Sequence, residues 1–139
     1  MDQKPTIVFV HGAWHTNEPF EEVQGILGKA GYGIKHVQLA SSTPNGPYVQ
    51  DIDDDVEIIQ NTLNDVVETE SDIVLVMHSY GGVVGSSAAK GFWRKVRKEK
   101  GKDGGIIHLV YLCAIVLPEG VSLKEGIGGE TGPWVKIHV

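Results

Sequence analysis

A single cysteine, Cys113, stands in the 139 residues of this chain, so no intrachain disulfide can form. It lies inside an apolar run, where a buried thiol is the simplest expectation. No apolar stretch approaches the roughly 20 residues that a membrane-spanning helix needs, and Met1-Asp-Gln-Lys-Pro5 has no apolar signal core. A cytoplasmic location without a membrane partner is therefore expected. Cysteine and histidine do not recur at zinc-ligand spacing and no acidic loop has the calcium pattern, so no metal is expected. A G-x-G-x-x-G turn is also missing, which weakens a dinucleotide-binding reading. Gly82-x-x-Gly85 alone is common in helices that pack on sheets. With 41% apolar and 22% charged residues, the chain has the composition of one globular domain.

Charge is low and uneven. The net charge is -6, yet six of the 12 basic residues fall between Arg94 and Lys102. The cluster reads as a solvated helix end, where cations offset the helix dipole, and no nucleic-acid partner is expected. Asp51 to Glu57 crowds acids where a helix begins, and there the dipole favours them.

Periodicity predicts alternating strands and helices. Strand Thr6–Val10 precedes a helix over about Glu18–Ala30 that Gly31 ends, and a short strand Ile34–Leu39 leads into the Pro/Gly-rich loop Ser41–Pro47. A helix from about Tyr48 to Glu68 repeats Ile52, Val56, Ile59, Leu63, Val66 and Val67 at helical spacing. Strand Ile73–Met77, a helix to about Lys98 and strand Ile106–Ile115 follow. Such alternation implies right-handed crossovers and a three-layer α/β sandwich around a mostly parallel sheet. From Pro118 onward, glycines loosen the chain and no regular pattern is evident.

Two segments carry chemistry. Ile73 to Met77 breaks abruptly at His78-Ser79-Tyr80-Gly81-Gly82 and continues as a helix of small residues. A strand that turns sharply into a helix with serine at the apex is a nucleophile elbow, although a serine there can also be only an N-cap. Gly81 and Gly82 remove the Cβ atoms that would crowd so tight a turn. Far upstream, another apolar strand ends at His11-Gly12 and opens a loop. Acyl transfer needs preorganised N–H donors where the oxyanion forms, and the Ala13 and Tyr80 amides fit that task. A His-Gly strand end is common by itself. The pair, each at a strand's carboxyl end, is much less so.

Val10-His-Gly-Ala-Trp-His15 together with Met77-His-Ser-Tyr-Gly-Gly82 resembles the α/β-hydrolase superfamily. Within it, the similarity is to the plant methylesterases and hydroxynitrile lyases and their fungal relatives. Leu109 to Gly120 resembles the next sheet strand and the loop into the cap. The resemblance implies a truncated α/β-hydrolase core of about four strands and three helices over 1–117, its elbow strand between the first and last strands. The flexible start of the cap would occupy 118–139. It further implies a serine hydrolase acting on a small-molecule carboxylic ester without a cofactor. Ser79 would be the nucleophile, with an oxyanion hole from Ala13 and Tyr80 and a pocket bordered by His11, Gly12, Trp14 and His78. The lyases of this group carry threonine after the loop histidine, whereas Gly12 matches the esterases. Met77 departs from the first glycine of G-x-S-x-G, which bears on how strand packs against helix.

In the family's chain order, the triad acid and histidine follow the serine, and the resemblance covers only the N-terminal half of the pattern. His11 and His15 belong to the oxyanion loop, and His78 is expected beside the elbow with its side chain turned away. His36 and His108 occupy strand positions, and a stand-in pair of His138 and Glu119 is a poor substitute. Two readings therefore stand. One is an esterase represented by a truncated chain; the other is a catalytically incomplete remnant with a binding or regulatory role. Ile106 to Leu117 is nearly continuously apolar, as in a strand buried on both faces. As a sheet edge it would invite pairing with another chain. Self-association is accordingly expected, with light scattering giving a mass above the monomer's; a monodisperse monomer counts against it.

Overall fold

Runs of β-branched residues build the centre of the molecule. The computed structural model describes residues 3–43 and 51–129. Its strands are β1 (Thr6–Val10), β2 (Gly33–Val37), β3 (Asp72–His78) and β4 (Gly105–Leu112), ordered β2-β1-β3-β4 and all parallel. The elbow strand lies between the first and last strands, as the resemblance implies. Val10 is level with Met77 and with Val37, so β1 and β2 end together and β3 runs one residue further, to His78, at the same edge of the sheet.

Side-chain alternation divides the core in two. Val8, Val10, Ile73, Leu75 and Met77 face α2 (Ile52–Val67) and α3 (Gly81–Ala88), where Ile59, Leu63 and Val84 are fully buried. Ile7, Phe9 and Val76 face the other way, toward Phe20 and Leu27 of the segment that ends in α1 (Glu21–Lys29). Three layers result. Asp51 caps α2 by accepting the Asp53 N–H at 2.8 Å, and acids follow in the first turn as the dipole favours.

Several expectations need correction. The first helix opens with a separate 3-10 turn, Glu18–Phe20, with Pro19 in its first positions, where a missing N–H donor is tolerated. The helix after the elbow stops at Ala88; Gly91 turns the chain at φ 86°, and α4 (Arg94–Glu99) forms apart. Beyond Pro118, a short α5 (Leu123–Gly126) is held by a capping box between Ser122 and Glu125. The described residues thus hold five α-helices rather than three. Nor is β4 buried on both faces, since only its first two residues are buried and Tyr111 and Leu112 are exposed. Of the described strands it pairs with β3 alone, Ile106 adding a single bridge to Trp93, and its later half is half-buried or exposed. Cys113 follows one residue past that strand and is exposed, not buried. The loop Ser41–Pro47, the start of the helix at Tyr48 and His138 lie wholly or partly outside the described residues.

Two contacts fix the carboxyl edge. Met77, with no solvent exposure, fills the space over Gly85, where an added Cβ would come within 2.6 Å of the Met77 sulfur. Gly85 thereby makes room for the side chain that stands at the elbow's first position. The second contact is His11, buried just beyond β1. Its Nδ1–H donates to the Gly12 carbonyl at 2.8 Å, and its Nε2 accepts the Leu39 N–H at 3.1 Å. Both ring nitrogens are occupied only in the neutral tautomer. Burial accordingly pushes its pKa below the ordinary 6.5, against smaller opposing pulls from the Gly12 carbonyl and Asp55.

Gly85→Ala is expected to cost about 1–3 kcal/mol by overpacking, and less in a Met77→Ala background. Urea denaturation of the four proteins checks this, and equal costs in both backgrounds would refute the pairing. His11→Ala should cost about 1–3 kcal/mol by orphaning the Leu39 amide. Below pH 6.5 the unfolded chain binds a proton at His11 that the folded chain resists. Stability should therefore fall as the pH drops through that value. Thermal midpoints on either side of it should fall more steeply for the native chain than for His11→Ala.

Candidate active site

Ser79 sits where β3 becomes α3. Its φ is 52°, a left-handed value that a non-glycine residue adopts at a cost of about 1–3 kcal/mol. Tyr80 returns to helical geometry at φ -54° and caps α3. Hydrogen bonds hold the turn, since the Ser79 carbonyl accepts the Gly82 and Ile115 N–H groups, each at 3.0 Å. Close backbone approach makes both glycines necessary. A Cβ on Gly81 would lie 2.7 Å from the Val10 and His11 carbonyl oxygens, and one on Gly82 would strike the Ile115 carbonyl. The turn is clamped between the end of β1 and the chain leaving β4.

The loop after β1 abuts the serine. A Cβ on Gly12 would be 3.0 Å from the Ser79 Cβ and 3.1 Å from His78 Nδ1, so Gly12 lets the backbone pass directly beside Ser79. The loop bends at Trp14, whose φ is 61°, and the His15 N–H returns to the Gly12 carbonyl at 3.3 Å. Trp14 is 78% exposed, while its N–H donates to Ser42 Oγ at 3.1 Å. Neither the Ala13 nor the Tyr80 N–H has an acceptor among the described residues. Two amide donors are thus uncommitted on the two segments that meet at Ser79.

The histidines fall into place around this centre. His78 continues the Val74–Val76 face of β3, and its ring packs edge-on against His15 at 6.0 Å and Phe20 at 6.4 Å. His15 is exposed and bonds through Nδ1 to the Ala13 carbonyl at 2.8 Å. His11 is committed to backbone, and His36 and His108 lie within β2 and β4. No described residue hydrogen-bonds the Ser79 hydroxyl. Glu119 is exposed and lines a groove beside α3 with Gly82, Ser86, Lys90 and Leu117, a lining that does not include Ser79. Among the described residues, no three His, Cys, Asp or Glu side chains converge as metal ligands.

One participant escaped the sequence reading. Asp55 is fully buried, and its carboxylate accepts the Ser41 N–H at 3.0 Å, the Ser41 hydroxyl at 2.6 Å and the Tyr80 hydroxyl at 3.0 Å. Burial, then the charge of Asp55 and its hydrogen bond, hold the Tyr80 phenol protonated well above its ordinary range. The signal was present in the helical spacing, because Asp55 falls between Ile52 and Ile59 on the apolar face of α2. A charge there needs a partner.

Known proteins share this architecture. Residues 7–136 match the model of the alpha/beta hydrolase family. Alpha/beta hydrolase nvfD of Aspergillus novofumigatus is 36% identical over 123 residues, covering 86% of this chain and 47% of that protein. A carbendazim hydrolyzing esterase of Nocardioides is 33% identical over 121 residues, covering 84% and 44%. This chain spans about half the length of the curated relatives it matches. Among solved structures, polyneuridine aldehyde esterase superposes with a TM-score of 0.68 at 22% identity, covering 90% of this chain and 46% of that one. Tomato methylketone synthase I gives 0.67 at 16% identity, covering 89% and 45%. These two likenesses speak to the fold. With the family match spanning nearly all of the sequence, the chain belongs to the alpha/beta hydrolase family.

Proposed function

We propose that this chain carries the nucleophile and oxyanion hole of a serine hydrolase acting on small carboxylic esters. The observation that carries the reading is the strained Ser79, with uncommitted Ala13 and Tyr80 amides on the segments that converge on it. In the proposed reaction, Ser79 Oγ attacks the ester carbonyl carbon. The carbonyl oxygen becomes an oxyanion held by the two N–H groups, and the alkoxide leaves as the C–O bond breaks. The serine proton passes to a base and from it to the departing alcohol. Water then cleaves the acyl-enzyme. An esterase name on one relative agrees with this substrate class. Within the described residues no base reaches Ser79, so these residues alone would retain about 10³–10⁴-fold acceleration over water. That same observation favours the second reading, a binding or regulatory protein that keeps the fold without turnover.

A fluorophosphonate probe separates the two, because phosphonylation requires an activated serine. The hydrolase reading expects a mass increase in the native chain, mapped to Ser79 and lost in Ser79→Ala. Equal, background labelling of both proteins would leave the non-catalytic reading.

A further inference from the structure

We infer that Asp55, remote in sequence from both loops, is the positioning residue that sets the two oxyanion donors relative to each other. The inference rests on Ser79 being the nucleophile and goes beyond it by naming what holds the site in register. From α2 the carboxylate reaches in two directions. One arm takes the Tyr80 hydroxyl and so fixes the residue whose N–H follows the nucleophile. On the other side Oδ1 accepts the Ser41 N–H, and Oδ2, which also takes the Tyr80 hydroxyl, accepts the Ser41 hydroxyl, in the 3-10 turn Ala40–Ser42 after β2. The next residue, Ser42, accepts the Trp14 N–H at 3.1 Å and so holds the loop that presents the Ala13 N–H. The two donors therefore hang from one carboxylate through Tyr80 on one side and Ser41-Ser42 on the other.

Three features support the assignment. Asp55 has no solvent exposure, and all three of its bonds go to these loops. Bonds to a charged acceptor are shorter and about twice as strong as neutral ones, so the arms are stiff. Trp14 and Ser79 both hold left-handed backbone, at φ 61° and 52°, which persists only when surrounding contacts impose it. Those contacts include the carboxylate's two arms.

Asp55→Asn and Tyr80→Phe test the inference, the second by deleting a single hydroxyl in case the first fails to fold. Two readouts are taken. Amide hydrogen exchange should quicken about tenfold or more at Trp14 and Gly82 in Asp55→Asn, and at Gly82 in Tyr80→Phe. The β1–β3 ladder should keep its protection in both. The maximal rate of Ser79 phosphonylation should fall about tenfold or more, with the half-saturating probe concentration unchanged, and the double variant should be no slower than Asp55→Asn. Unchanged exchange at Trp14 and Gly82, or a uniform loss of protection, overturns the positioning role. If native Ser79 takes no label, the hydrolase reading fails, and the exchange measurements still decide what Asp55 holds in place.

Discussion

Everything at the site depends on the register in which β1 and β3 end. Val10 opposite Met77 brings Gly12, two residues past Val10, beside Ser79, two residues past Met77, at the sheet's carboxyl edge. Parallel strands open their loops on the same edge, and ligands in such sheets gather there. A slip of one residue would exchange the two faces of β3. Met77 would then lose its place over Gly85, and His78 would turn from Phe20 into the core. The register is therefore fixed from both layers at once. Branched side chains buried on each face bring the hydroxyl of Ser79 to the loop of Gly12.

Close approach is the second condition. The elbow is wedged between carbonyls from the end of β1 and from the chain after β4, and glycine alone fits at positions 81 and 82. Its left-handed serine costs about 1–3 kcal/mol, while two amides on the Ser79 carbonyl contribute about 0.5–1.5 kcal/mol each. These terms are of similar size, so the turn need not strain the rest of the fold. The bond from Ile115 matters in particular, because it ties the elbow to a segment beyond the last strand.

Much of this was legible beforehand. Continuous branched runs identified four strands, and Ser79-Tyr80-Gly81-Gly82 identified the elbow, because both signals are local. Element boundaries were less legible. The helical pattern after the elbow runs on to Lys98 in the sequence, whereas the break lies at Gly91, with φ 86°. The chain beyond it forms a backbone bridge from Trp93 to Ile106, a pairing remote in sequence. The capping box at Ser122-Leu-Lys-Glu125 was readable but lay among glycines that suggested no regular structure. Burial of β4 was misjudged because composition reports what a strand could bury, not what packs against it. Asp55 was hidden among Asp51, Asp53 and Asp54, whose placement the helix dipole already explained.

That last omission shows how the two kinds of acid on α2 differ. Asp51 works at the helix end, where water and free amides share its charge. Asp55 has left water entirely, and removing an ion from solvent costs several kcal/mol before its partners respond. Three hydrogen bonds offset that cost, and the net gain from such bonds is modest, because each replaces one that the same groups make to water in the unfolded chain. Leucine at this position would extend the Ile52, Val56 and Ile59 stripe, but it would take the acceptor from the Ser41 N–H and from the Ser41 and Tyr80 hydroxyls. What leucine could not do is grip Ser41 and Tyr80 together. Hydrophobic contact is non-directional, whereas a carboxylate fixes its partners in both distance and angle. The direction of those bonds, more than their energy, is what a polar group on this apolar face supplies.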